Sequence, residues 1–351
     1  MTESPFSLRQ LDPQDGPAYA EVLSASPDTG SIGSAVRFEI DPYQALMALQ
    51  KDTVGVVAET PGHNGFVGSG LIRFGQCQWE GELRTSALLN TLVVHPDYRR
   101  QGVASQLAKW RVELARQRQG DGGVIWAIIQ RNNTGSEQTA TRWANQFLEN
   151  RVVIVPLRMR SRAPRRSRHL NVRPAQPEEL DKIAEHLNRF YRDYNLYPPE
   201  TGNSLAAWLD LTPFDTPFRN YQIVTDKAGS ILAGMGLSEN YRLRTALITH
   251  LPVGLRILNR FFNVIPPSGE LQEVVLSRIW YVPGQMEAAK QLLETMRWVW
   301  RTRCTSLIFS ADVRGPLVRL LGVWDRFGRE IAGIALRGPV PCIEDRLCYY
   351  G

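Results

Sequence analysis

Residues 99–105 of the chain read Arg-Arg-Gln-Gly-Val-Ala-Ser and join an apolar run, LLNTLVV at 88–94, to a helical pattern. An ordinary turn from strand to helix needs only a glycine or a capping residue. Here Arg99, Arg100 and Gln101 crowd onto Gly102, and Val103, Ala104 and Ser105 open the helix. The first N–H groups of a helix have no intrahelical acceptor and carry partial positive charge, so an anion is stabilised there. Low bulk at Gly102 and Ala104 lets a pyrophosphate reach the backbone, and Arg99 and Arg100 add charge suited to bidentate phosphate contact. The plainer alternative is a turn followed by a solvated basic helix end.

Other residues offer less chemistry. Cys77, Cys304, Cys342 and Cys348 show neither CxxC spacing nor a neighbouring histidine, so buried thiols are expected rather than a metal site or a disulfide framework. The net charge of +6 is local: six of the 41 basic residues lie in RMRSRAPRRSRH (158–169), which leaves 35 against 35 acidic residues elsewhere. That run has no interleaved aromatics. It reads as an exposed linker more readily than as a nucleic-acid contact. The start, MTESPFSLRQ, lacks the apolar core of a secretory leader, and no run reaches the ~18 apolar residues of a membrane span, so a cytoplasmic protein is expected.

The elements that would position the 99–105 segment follow from periodicity. Strands are expected at 6–11, 54–59, 65–75, 84–94, 123–130 and 151–160, and helices at 13–24, 41–50, 102–119 and 134–148. Helix 102–119 has an apolar face of Val103, Leu107, Trp110 and Leu114. Early strands separated by turns suggest antiparallel pairing, and the strand–helix–strand from 84 to 130 suggests a parallel crossover. The fold class is therefore mixed α/β, with helices on both faces of the sheet.

The pattern occurs twice. Leu8, Arg9, Pro13 and Asp15 match Val172, Arg173, Pro177 and Glu179 at an offset of 164, and LLNTLVVHP matches VLSRIWYVP at an offset of 187. The difference of 23 predicts an insertion, TALITHLPVGLRILNRFFNVIPP at 245–267. Around it Arg242, Arg244, Arg256 and Arg260 stand with no acid between Glu239 and Glu270. A membrane-surface segment and a lid over the second sheet are both open readings, the lid being the blander.

The element order and the stretch VVHPDYRRQGVA resemble the GNAT acyltransferase family, whose signature Arg/Gln-x-x-Gly-x-Gly/Ala lies between its fourth strand and third helix. Here it reads Arg99-Arg100-Gln101-Gly102-Val103-Ala104, after a Val-x-Pro at Val94-His95-Pro96. The resemblance covers 6–160 and extends to 351 only through the duplication. It implies two tandem GNAT-like acyl-CoA N-acyltransferase domains, 1–160 and 170–351, with 161–169 between them. It also implies acetyl-CoA or another acyl-CoA as co-substrate. The backbone of Leu92, Val93 and Val94 would pair with the pantetheine arm as an added strand would. The pyrophosphate would lie on Arg99, Arg100, Gln101, Gly102, Val103 and Ala104, with Ser105 as a hydroxyl donor. Asn133, or else Asn132, matches an asparagine common after the family's fifth strand.

The catalytic half matches less well. Many family members carry a glutamate where this chain has Asn90, and an amide cannot take a proton at neutral pH. Asn90 could position a water or the amine, or be a hydrogen-bonded residue inside the sheet. Trp143 falls where the family's tyrosine acid would be and reads as core or pocket wall rather than as chemistry. Glu80, Glu82 and Glu137 are the carboxylates to test if a base exists. In the second copy Gln285, Ala288 and Lys290 align with Arg99, Gly102 and Ala104, and Glu287 brings negative charge, so a degenerate copy without CoA is expected. The expected activity is acyl transfer to a primary amine by direct attack in a ternary complex. The acceptor stays open between polyamine, aminoglycoside, amino acid and peptide or protein amine. A CoA-binding or structural module without catalysis is the rival, and a membrane- or nucleic-acid-associated adaptor a second.

Overall fold

Arg9 and Asp15 form a two-pronged ion pair, with Nη1 and Nη2 at 2.7 and 2.8 Å from the carboxylate, and Arg173 and Glu179 repeat it at 2.7 and 2.6 Å. In each copy the same carboxylate also accepts a backbone N–H three residues upstream, from Asp12 (2.7 Å) and from Gln176 (2.8 Å). The offset of 164 is thus a repeated structure, a strand turned sharply into a helix by one arginine and one acid.

The computed structural model describes residues 5–350, apart from 30–32, 50, 166, 263–264, 324, 326–328 and 344. Two-residue bridges aside, the strands in chain order are β1 (Ser7–Gln10), β2 (Gly33–Phe38), β3 (Thr53–Glu59), β4 (Gly68–Trp79), β5 (Glu82–Val94), β6 (Val124–Gln130) and β7 (Gln146–Arg158). They continue as β8 (Asn171–Pro174), β9 (Arg219–Thr225), β10 (Ile231–Ser238), β11 (Arg244–His250), β12 (Glu273–Tyr281), β13 (Ser306–Asp312) and β14 (Glu330–Arg337). The helices are α1 (Gly16–Ala25), α2 (Pro42–Leu49), α3 (Val103–Gln119), α4 (Thr134–Ala140), α5 (Leu180–Phe190), α6 (Gly202–Asp210), α7 (Val253–Phe262) and α8 (Met286–Val299).

Two compact units result, and they do not divide at the arginine-rich segment. One holds Met1–Asn150 with Leu243–Val253 and Ala332–Glu344; the other holds Arg151–Arg242, Gly254–Ile331 and Asp345–Gly351. In the first unit the sheet order is β1-β3-β4-β5-β6-β14: β1 pairs β3, β3 pairs β4 and β4 pairs β5, all antiparallel, then β5 pairs β6 in parallel and β6 pairs β14 antiparallel. In the second unit β8, β9, β10 and β12 pair antiparallel in turn, β12 pairs β13 in parallel, and β13 pairs the 152–158 part of β7 antiparallel. Each sheet is therefore completed by the last strand of the other half of the sequence. This exchange is why a boundary at 160 does not describe the units.

Three expectations change. The helix at 134–148 stops at Ala140, because the Asn145 N–H is taken by Leu336 O of β14 (2.8 Å) and the chain becomes strand at Gln146. Gly33–Phe38 is a strand. It pairs with β11, so the first part of the 245–267 insertion belongs to the first unit and is no lid over the second sheet. The start of the arginine run is not merely solvated either: Arg160 is paired with Glu294, and Arg158 O accepts from Arg297 Nε at 2.8 Å. All four cysteines are buried and unbridged.

The first unit packs Ile72, Ala87, Leu89, Val112, Ala115, Ile125 and Trp143 in one cluster and Leu11, Tyr19, Val22, Leu46, Val57, Phe66 and Leu71 in another. Alternating side chains of β4 and β5 supply both clusters, β6 adding to the first and β3 to the second, with α3 over the first and α1 and α2 over the second, as period-2 strands between helices require. The second unit has one large core that includes Ile183, Leu187, Val224, Met235, Leu276, Trp280, Leu292 and Phe309.

Candidate active site

The ladder between β5 and β6 is short. Ser86–Leu88 pair with Val124–Trp126, and beyond Leu88 the strands part, although β5 runs on to Val94 and β6 to Gln130. On its other side β5 carries a bulge: the β4 partners jump from Ser69 to Leu71 while β5 runs from Val93 to Asn90. Thr91, inside the bulge, has φ 44°, a left-handed value that a β-branched residue adopts only under constraint.

The strand past the bulge offers an open edge. The His95 N–H bonds Val67 O at 2.8 Å, so by alternation Val93 also turns toward β4, while Leu92 and Val94 turn their amide groups to the parted side. Val94 O already accepts from Ser26 Oγ (3.0 Å) and Arg99 Nε (3.2 Å). Of the three residues expected to face the ligand, Leu92 presents its backbone most freely and Val93 is committed to Ser69 of β4.

The loop after β5 brings the rest together. Arg100 has φ 63° and Gly102 φ 88°, two left-handed residues flanking Gln101, and Gly102 caps α3. Such alternation turns successive N–H groups into one concavity suited to an anion. A Cβ on Gly102 would meet nothing within 4 Å, so glycine is required by its φ and the space before it stays open. Gln101 Nε2 holds the loop through Asp97 O (2.9 Å), and among the described residues Arg100 has no partner. Val103 is buried as the first residue of α3, while Ala104 and Ser105 are half-buried. Asn133 caps α4, its Oδ1 accepting from Ser136 N at 3.1 Å, which leaves its amide hydrogens. Asn132 beside it has φ 68°.

Two site residues were missed in the sequence. Arg142 Nη1 donates to Ser105 Oγ at 2.6 Å and sets a further arginine at the start of α3. Nothing in the local pattern signals it. Arg111 is 3% exposed, and burial with no acid acting on it pulls its guanidinium down to about 10. Its Nη1 donates to Leu71 O (3.2 Å) and Asn90 O (3.0 Å), the carbonyls on either strand at the bulge. Gly70 has to be glycine there, since a Cβ would stand 2.9 Å from Arg111 Nε. The signal was present: Arg111 continues the buried stripe Val103–Leu107 at helical spacing, a cation on an apolar face.

Glu82, at the opposite end of β5, is eight residues from Asn90 and so roughly 26 Å away by strand rise, and Glu80 lies in the turn before it. Glu80 accepts from Ile343 N (3.0 Å) and Glu82 pairs with Arg84. Neither reaches the bulge. Glu137 is exposed in the first turn of α4, and Trp143 is core, as read. Among the described residues no group of three histidine, cysteine or acidic side chains is placed to hold a metal.

The second unit repeats the frame and fills it. Glu273–Val275 pair with Ser306–Ile308, then part, and Arg278, 187 residues after Thr91, has φ 51° in the matching bulge. Val282 N bonds Leu232 O as His95 N bonds Val67 O, so Ile279 O faces the parted side as Leu92 O does. The Tyr191 hydroxyl occupies it at 2.5 Å. Arg278 lies over Trp208 at 4.3 Å and pairs with buried Glu200 at 2.7 Å. Only residues 282–285 separate β12 from α8, against 95–102 between β5 and α3, so the arginine loop has no counterpart. The alignment of Ala288 with Gly102 is thereby corrected, because Ala288 is a 1% exposed core residue of α8.

Residues 30–143 match the acetyltransferase (GNAT) family. No curated protein matches the chain significantly in sequence. Among solved structures it is similar to a GCN5-related N-acetyltransferase from Sphaerobacter thermophilus, at 14% identity, with 98% of this chain and 99% of that one covered and a TM-score of 0.61. It is also similar to Saccharomyces cerevisiae N-myristoyltransferase with bound myristoyl-CoA (13% identity, 96% and 84% covered, TM-score 0.64). A tandem GNAT protein from the clavulanic acid biosynthesis pathway is a third (11%, 96% and 100%, 0.60). Residues 30–143 are thus a domain of the acetyltransferase (GNAT) family, in a chain whose fold is that of tandem GNAT proteins.

Proposed function

We propose that the chain is an N-acyltransferase that moves an acyl group, acetyl in the simplest case, from acyl-CoA to a primary amine in its first unit. The observation that carries this reading is the conjunction on one strand of a parted edge, a strained bulge and a loop of two left-handed residues opening a helix. The edge at Leu92 and Val94 suits the amides of a pantetheine arm, with Val93 supporting them from the β4 side. Arg99, Arg100, Gln101, Gly102, Val103, Ala104 and Ser105, joined by Arg142, suit its pyrophosphate. The Asn133 amide suits the arm where β6 departs. The thioester would then meet the amine near Asn90 and Thr91. The amine nitrogen bonds to the carbonyl carbon, the carbon–sulfur bond breaks, and CoA leaves as thiolate with the ammonium proton passing to solvent. Asn90 would orient the amine or a water, its amide being unable to accept a proton.

Free-thiol release from acetyl-CoA, measured against a panel of amines, tests the reading. Amine-dependent release is expected. A second reading, a CoA-binding module without turnover, is favoured by the amide at position 90 and by Trp143 lying in the core. It would show as calorimetric CoA binding with no release for any amine.

A further inference from the structure

The wall of the bulge opposite α3 is built from α1, α2, β2 and β11, all within the first unit. Burial pushes the Tyr19 phenol up to about 12, and its hydroxyl is hydrogen-bonded to the side chain of Thr91 in the bulge. The rings of Tyr19 and Phe38 are 6.1 Å apart, and Phe38, Tyr43, Met47 and Val93 pack, partly exposed, against the apolar cluster that contains Tyr19. Arg244 stands directly across from Phe38 in the β2–β11 ladder, and directly opposed residues project from one face. It is exposed, and among the described residues none pairs with it. The nearby acid, Glu39, is engaged by Thr245 (2.7 Å) and Arg37 (3.1 Å), which form the adjacent ladder pair and so belong to the opposite face. An uncompensated guanidinium therefore borders an apolar wall that ends at the bulge.

We propose that Arg244 selects an acceptor amine that also carries a carboxylate and an apolar side chain, as an aliphatic or aromatic amino acid does. One guanidinium matches one carboxylate in charge and in its two-pronged geometry, and Phe38, Tyr43 and Met47 match the apolar group. The assignment rests on the acyl-transfer reading for its chemistry, but its binding preference can be measured without turnover.

The experiment compares leucine with 3-methylbutylamine, tyrosine with tyramine, and O-phosphoethanolamine with ethanolamine. Each is assayed for thiol release from acetyl-CoA and for calorimetric binding to the protein saturated with CoA. The amino acid of each of the first two pairs should be preferred at least tenfold in kcat/KM and in affinity. In Arg244→Gln the preference should vanish, mainly through KM, with thermal stability unchanged, and Arg244→Lys should restore part of it. Equal use and equal binding of tyramine and tyrosine would overturn the assignment, as would a preference that survives Arg244→Gln or a stronger response to O-phosphoethanolamine than to leucine. Selective amino-acid binding without any thiol release would uphold Arg244 and sink the acyl-transfer reading instead.

Discussion

Asn90 and Gly102 lie twelve residues apart and pose different demands on the chemistry. An alkyl amine with a pKa near ~10.4 is about one part in a few thousand neutral at pH 7. Glu80 and Glu82 are remote and position 90 is an amide, so kcat/KM with a saturated amine should climb with pH toward the amine's own pKa. A plateau beginning near pH 6 to 7 would show a base that the site does not display. Gly102 is bound by its φ of 88° and by the open space in front of it. Gly102→Asp would strain the loop and set a carboxylate against phosphate. Losing the helix-end attraction alone costs roughly 0.3–1 kcal/mol, and repulsion and strain should raise the loss to about 3 kcal/mol or more, abolishing calorimetric CoA binding. The second unit, with its edge capped by Tyr191, should contribute no binding, so the wild type should show one CoA per chain. Ala288→Asp is no neutral control, since it would bury a carboxylate in the core of α8.

The bulge in β5 and the turn after β1 show how single side chains shape elements. Arg111 satisfies two carbonyls at the bulge, and its replacement by methionine would leave both without that donor while relieving a buried cation. The first effect costs about 1–3 kcal/mol per group and the second offsets part of it. A net loss near ~2 kcal/mol in urea unfolding is expected, with a larger proportional loss of CoA affinity as Thr91 relaxes toward regular pairing. The paired turns respond to acid. Arg9 and Arg173 hold the carboxyls of Asp15 and Glu179 below the ordinary carboxylate range. Their folded pKa values are depressed, so the stability they add is present above the unfolded value near ~4 and is lost as pH falls through the lower folded value. Asp15→Asn and Glu179→Gln should each cost on the order of 1 kcal/mol at pH 7, the pairs being partly exposed, and little at pH 2. Asp312 runs the other way: burial raises it to about 6, so it gains stability as pH falls from about 6 toward 4.

At the scale of the molecule, local order was legible and long-range partnership was not. The left-handed loop before α3 announced itself through Arg99–Gly102, and the duplication through Arg9, Asp15, Arg173 and Glu179, because each is a contact between residues close in sequence. The bulge at Thr91 could not be read, since a bulge is a mismatch between two strands and β5 alone looks regular. The placements of Arg142 and Arg244 were equally invisible, although Arg244 was named among the arginines of the insertion: one reaches Ser105 across 37 residues and the other lies against β2 across about two hundred. The exchange of β7 and β14 was hidden because both strands look like ordinary final strands of their own halves. It yields a direct test. A fragment ending at residue 160 lacks β11 and β14 and should be insoluble or fail to bind CoA, whereas co-expression with residues 161–351 should recover both.

The same exchange sets a timetable for synthesis. β6, with the sequence VIWAIIQ, emerges from the ribosome long before its antiparallel partner at Ala332–Arg337 exists. At roughly 5–20 residues per second the wait over some two hundred residues is about 10–40 s. Throughout it an apolar strand with an open edge is available to any other chain. The nascent protein therefore has an interval in which an aggregation-prone segment is complete and unguarded, and its yield in a cell should depend on elongation rate and on chaperones that shield such edges.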